Sequence, residues 1–146
     1  MKNLLALFIT LIGFSSPVFA EPLTIETSKQ SIVLDVEIAD TQEERSLGLM
    51  NRDSLAPNSG MFFVFDVLSM PQFWMKDTKI SLDMIYIDEK GFVAGIHANA
   101  IPYDETPIQP PGPALAVLEI AGGSAERLGI AKGDKVIHRI FEKDLK

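Results

Sequence analysis

An acidic side chain within an apolar strand is unfavourable unless something satisfies it, and this sequence has two such residues, Asp83 in Leu82–Ile87 and Glu119 in Leu115–Ile120. Period-2 geometry puts Asp83 on the side of Ile85 and Ile87, and Glu119 on the side of Val117 and Ala121. Two inward carboxyl groups sharing a cleft can push their titrations apart, one protonated and one ionised, which is what acid/base hydrolysis of a glycosidic bond requires. Asp83 and Glu119 are therefore the candidate catalytic residues. The plainer alternative is a structural ion pair, with Lys76 or Arg45 as partner, fixing strand register.

A second constellation lies in Phe73-Trp74-Met75-Lys76. If this stretch is extended, Trp74 and Lys76 share one face while Phe73 and Met75 share the other. A large amphipathic ring beside an ammonium suits the capture of a sugar, a peptide or an anionic organic molecule. Arg45 and Arg52 flank a Gly-Leu-Met turn and are able to bind a carboxylate or phosphate, unless they pair with Glu43, Asp53 or Asp83. Tyr103, at the start of a Pro-rich stretch, completes the expected ligand-binding set of Trp74, Lys76, Asp83, Glu119, Arg45 and Tyr103.

Metal chemistry is a weaker alternative. With no Cys and only His97 and His138, a zinc site lacks ligands at recognisable spacing. Thioethers select Cu(I), so Met50, Met70 and Met75 with His97 and Trp74 form a candidate copper-handling set if three of them converge. Met is also a common core filler, and Met61 and Met84 lie inside apolar strands. Of the histidines, His97 is expected to be exposed and His138 packed. No phosphate loop, nucleophile elbow or cofactor motif is present, and no cofactor is expected.

These residues need elements to hold them. Leu23–Thr27 and Ile32–Ala39 read as strands, the second alternating apolar and polar positions. Thr41 and Glu44 have capping-box spacing, which predicts a short helix ending near Gly48. Met61–Asp66, Gln72–Lys76, Leu82–Ile87 and Phe92–Ala100 read as further strands, the last two joined by a hairpin at Gly91. Ile101–Pro113 carries five prolines and is a loop, expected to bridge two sheets rather than act as a lid over Trp74. Leu115–Ile120 and Lys135–Ile140 complete about eight strands, with a second short helix capped by Ser124 between them, giving a mainly β sandwich or squashed barrel. The segment Gly123–Asp134 looks like part of a PDZ domain, but the rest of the chain does not fit one.

The N-terminus has signal-peptide grammar: Lys2, an apolar run over Leu4–Phe14, and Val18-Phe19-Ala20 before Glu21. Cleavage after Ala20 is expected, leaving a single domain over 21–146 with no membrane span, in the periplasm or outside the cell. Loss of Lys2 leaves 12 basic residues against 20 acidic, a formal charge of −8, which disfavours nucleic acid and anionic lipid. A small organic ligand or an envelope protein is the expected partner, and the domain is expected to be a monomer.

Arg45-Ser-Leu-Gly-Leu-Met50, Gly60-Met-Phe-Phe-Val-Phe65, Phe73-Trp-Met-Lys-Asp-Thr78, Leu82-Asp83 and Val117-Leu-Glu-Ile-Ala-Gly122 together resemble the bacterial and archaeal domain-of-unknown-function family 192, from about Thr24 to Ile140. The resemblance implies a compact, β-rich, commonly exported fold with no established activity. The chain departs from the family pattern at Asp77, where Asn is usual, and at Ser81, where Pro is usual.

Overall fold

A single curled sheet carries the structure, a computed structural model that describes residues 20–142. Residues 1–19 of the expected signal peptide lie outside the described residues. Seven strands are present in it: β1 (Ala20–Glu26), β2 (Ser31–Ala39), β3 (Ser59–Ser69), β4 (Leu82–Ile87), β5 (Val93–Ala100), β6 (Ala114–Ala121) and β7 (Lys135–Ile137), in the spatial order β5-β4-β6-β3-β2-β1-β7. Two short helices, α1 (Gln42–Leu47) and α2 (Ser124–Leu128), and a 3-10 turn at Arg139–Phe141 complete it. No helix among the described residues is long and apolar enough to cross a membrane.

The sheet curls into a half-barrel because its two edges meet at one end. Phe92 bridges Lys135, Val93 N–H donates to Asp134 O at 2.9 Å, and Val136 N–H donates to Gly91 O at 2.8 Å. Gly91 takes φ 79°, and a Cβ there would meet Val136 O at 2.9 Å, so both the hairpin and this edge contact need glycine. One core cluster draws on every strand, including Leu23, Leu34, Phe62, Ile85, Val93, Leu118 and Val136, and therefore fills the concave side. A second core lies on the convex side of β3, β6 and β4, where Phe63, Val117, Met84 and Tyr86 are covered by Leu49, Met75 and Ile108 from the connecting segments.

All pairings are antiparallel except β2 with β3, and a parallel neighbour demands a crossover. That crossover is α1 with the turns after it. Its capping box forms as the sequence predicts: Glu44 N–H donates to Thr41 Oγ1 at 3.2 Å and Thr41 N–H donates to Glu44 Oε2 at 3.0 Å, while Gly48 ends the helix at φ 49°. The crossover brings Arg45 beside β3, where its Nη1 donates to Val64 O at 2.8 Å.

Two expected strands are shorter or missing. Gln72–Lys76 is not a strand. It makes one bridge, Phe73 with Ile108, and Met75 N–H donates to Asp104 O at 2.8 Å, so its partner is the Pro-rich loop, which has few donors to extend a ladder. Alternation nevertheless holds, with Met75 buried between exposed Trp74 and Lys76. The last strand stops at Ile137 and gives way to the 3-10 turn. The Pro-rich loop connects β5 to β6 within the one sheet and lies against the 73–78 segment, Tyr103 N–H donating to Thr78 O at 3.0 Å.

Candidate functional site

The β4–β6 register decides what the two strand acids do. Met84 pairs with Glu119 and Asp83 with Ile120, so Glu119 stands on the convex face and Asp83 on the concave face. The two carboxyl groups do not share a cleft, and the paired-carboxylate arrangement for hydrolysis is not formed. Each residue's own face matches the alternation in its strand. What a single strand does not reveal is the register between strands.

Asp83 is fully buried and fully occupied. Its Oδ1 accepts from Asn99 N–H at 2.8 Å and Gly123 N–H at 3.0 Å, and its Oδ2 from Ala125 N–H at 2.8 Å. It thus caps α2 from a neighbouring strand, replacing the expected Ser124 cap, whose residue lies inside the helix and makes no capping bond. Neither Lys76 nor Arg45 is its partner.

Glu119 presents the opposite case. It is 4 % exposed, and its carboxyl has no hydrogen-bond partner among the described residues. Burial alone pushes its pKa from 4.5 up to about 8, which keeps it protonated at neutral pH. Tyr86, on the same convex face, also has a buried hydroxyl without a partner, and burial followed by the neighbouring Glu119 pushes it up to about 12.

Glu119 lines a small recess of about 40 Å³ beneath the end of α1. The recess shares Arg45, Ser46, Phe63, Phe73 and Trp74 with an open cleft of about 370 Å³, which extends past Phe65 to Pro71 and Gln72. The cleft is built on aromatic rings. Phe63 and Phe73 meet edge to face at 5.1 Å, and Phe73 meets Tyr86 at 6.3 Å. Trp74 is 46 % exposed, with Lys76 Nζ 5.3 Å from its ring centre. Arg45 lies 5.4 Å over Phe65 and is anchored through Nη1 by the carbonyls of Asp40 and Val64 rather than by a carboxylate. Arg52 is bound bidentately to Glu37, not to Glu43, Asp53 or Asp83.

The structure therefore brings together Trp74, Arg45 and Glu119, with Lys76 adjoining through the Trp74 ring. Asp83 belongs to the other face. Tyr103 lines neither cavity: it is 61 % exposed beyond Thr78. Phe63, Phe65 and Phe73, which sequence reasoning did not place in the site, form its floor. The period-2 signal was available, since Phe63 and Phe65 fall opposite the concave Phe62.

The thioether set does not converge. Met50 and Trp74 line the recess, Met75 and His97 line a separate cavity of about 380 Å³, and Met70 is exposed and lines none of these three. His97 is exposed, whereas His138 is packed edge-on against Phe62 at 5.0 Å.

Comparison with known proteins agrees with this fold. A crystal structure of a protein of unknown function from Novosphingobium aromaticivorans DSM 12444 is 40 % identical, covering 91 % of this chain and 100 % of that one, with a TM-score of 0.81. A crystal structure from Sinorhizobium meliloti 1021, described as a candidate transcription regulator, is 35 % identical over 84 % of this chain and 96 % of that one, also with a TM-score of 0.81. No curated protein matches the chain. The DUF192 profile, described as Uncharacterized ACR, COG1430, matches residues 23–138, nearly the whole described domain, and this chain belongs to that family.

Proposed function

We propose that this protein is a small-molecule-binding module of the cell envelope, exported by the N-terminal signal and holding its ligand in the Trp74 cleft. The observation that carries the reading is Glu119, a largely buried carboxyl that faces the inner end of an aromatic-lined cleft. No side chain or backbone group among the described residues holds that carboxyl in place, so it is available to a molecule entering the cleft. The cleft's volume of about 370 Å³ falls within the range of small-ligand sites. Half-exposed Trp74 and Arg45, with guanidinium nitrogens beyond Nη1 still free to donate, supply the outer contacts.

A transcriptional role of the kind described for the Sinorhizobium protein has no support in the charge, since 20 acidic residues outnumber 13 basic ones.

Native mass spectrometry of protein taken gently from a periplasmic extract tests the reading. The expected spectrum shows a chain beginning at Glu21 with an organic adduct that Trp74→Ala loses, the substitution weakening affinity on the order of tenfold or more. An adduct retained by Trp74→Ala would move the site elsewhere, and a chain retaining residues 1–20 would contradict export by cleavage.

A further inference from the structure

The Glu119 recess fixes the chemistry of the ligand's inner end, an inference that rests on the binding reading above. We propose that the recess is a primary-ammonium site, taking the head of an aliphatic amine whose alkyl stem lies along Phe63, Phe73 and Trp74.

Size comes first. The recess, at about 40 Å³, is the narrow inner end of the cleft and takes a head group rather than a whole ligand. Chemistry comes second. An ammonium brings three donors and no acceptor, and the recess offers an unpartnered carboxyl on β6. Its roof is formed by Arg45 to Met50, the C-terminal end of α1 and the turn after it. Phe63, Phe73 and Trp74 line the recess as well, and aromatic rings attract a cation.

The charged and titratable groups facing Glu119 are few. From α1 comes Arg45, whose Nη1 is turned to the carbonyls of Asp40 and Val64 and whose guanidinium stacks on Phe65 in the outer cleft. From β4 comes Tyr86, neutral at physiological pH. The 72–78 segment brings only Phe73, Trp74 and Thr78 to the wall, and β3 brings Phe63. Arg45 opposes a bare cation but welcomes an acidic group at the far end of the ligand, so an ω-amino acid should bind better than a simple amine.

Binding has a proton balance. The carboxyl enters protonated, the ammonium keeps its own proton, and the ion pair forms as the carboxyl proton leaves to solvent. Because burial raises the Glu119 pKa to about 8, up to one proton is released per ligand at about pH 7.

Titration calorimetry with n-butylamine and 5-aminopentanoate, against butan-1-ol, pentanoate and choline, in phosphate and in HEPES, reads all of this. The amine affinities are expected to rise about tenfold from about pH 6 to about pH 7 and to level off above about pH 8, with the proton release appearing as a buffer-dependent heat. Glu119→Gln should weaken the amines at least tenfold and abolish both the pH dependence and the buffer dependence, while far-UV circular dichroism shows the variant folded. The inference is overturned if neither amine binds at millimolar concentration, if pentanoate, butan-1-ol or choline binds as well as the amines, or if amine binding is independent of pH and of Glu119. An anionic or neutral adduct that still depends on Trp74 would leave the binding module standing and remove the ammonium site alone.

Discussion

Glu119→Gln also has a consequence for stability that needs no ligand. In the unfolded chain the carboxyl ionises near 4.5, whereas the folded protein holds its proton until about 8. Between those values the native state binds more protons than the unfolded state, so stability falls as pH rises, by up to about 1.4 kcal/mol per pH unit. The contribution is fully present below about 4.5 and lost above about 8, and over the interval it amounts to roughly 3–5 kcal/mol. Glutamine does not ionise and carries no such slope. Its amide places unpaired donors in the same recess, which costs about 1–2 kcal/mol at every pH.

The two effects make the curves cross. Below about pH 4 the wild-type protein should be more stable by roughly 1–2 kcal/mol, and near about pH 8.5 the variant should lead by roughly 3 kcal/mol. His138, whose pKa burial lowers, adds a slope of opposite sign below its ordinary 6.5, because the folded protein resists charging it. Glu21, Asp53 and Asp104, held low by hydrogen bonds from Arg139, Lys79 and Thr106, add stability that is lost as pH falls below their ordinary values. These terms are common to both proteins and cancel in the difference. Urea midpoints followed by circular dichroism across the pH range provide the assay. Parallel stability profiles for the two proteins would refute the reasoning, because they would mean that Glu119 reaches solvent or a partner in the folded chain.

Asp83→Asn should remove roughly 3–5 kcal/mol of stability, because the amide nitrogen of Asn would face Ala125 N–H while charge-assisted bonds to α2 are lost. Ligand affinity in the Trp74 cleft should change little, since Asp83 occupies the other face; urea denaturation and the calorimetry above check both parts, and a loss below about 1 kcal/mol would show that α2 does not depend on this cap. Asp77 sits at φ 51°, a left-handed conformation that Asn adopts more readily than most residues, which accounts physically for the Asn usual in the family. Asp77→Asn should therefore raise stability by roughly 0.5 kcal/mol, and a lower thermal midpoint would place a specific role on the Asp77 carboxylate.

Local patterns were the legible part of this fold. Thr41 with Glu44, and the alternation through Leu82–Ile87 and Leu115–Ile120, depend only on neighbours along the chain, and the corresponding elements appear at or near the expected bounds. Phe73–Lys76 misled because exposure alternates along it as in a strand, yet its backbone donors turn to the Pro-rich loop, a partner that no periodicity announces. The site was legible wherever a residue type was out of place: Trp74 and Glu119 stood out, and so did Asp83. The register that sends Asp83 and Glu119 to opposite faces is set by the pairing of β4 with β6, which are distant in the sequence, and so was not.

From sequence the two acids are the same signal, a carboxyl in an apolar strand, and in the structure both are buried. What separates them is satisfaction. Asp83 has three backbone N–H groups around it and nothing left to offer a ligand, whereas Glu119 has a cleft in front of it and no partner. Desolvation raises the pKa of Glu119 and favours its neutral form, and a neutral acid beside an open cleft is one that an incoming cation can ionise. For that reason the proposed binding role falls to Glu119, while Asp83 holds α2 to the sheet, although the chain presents both in the same way.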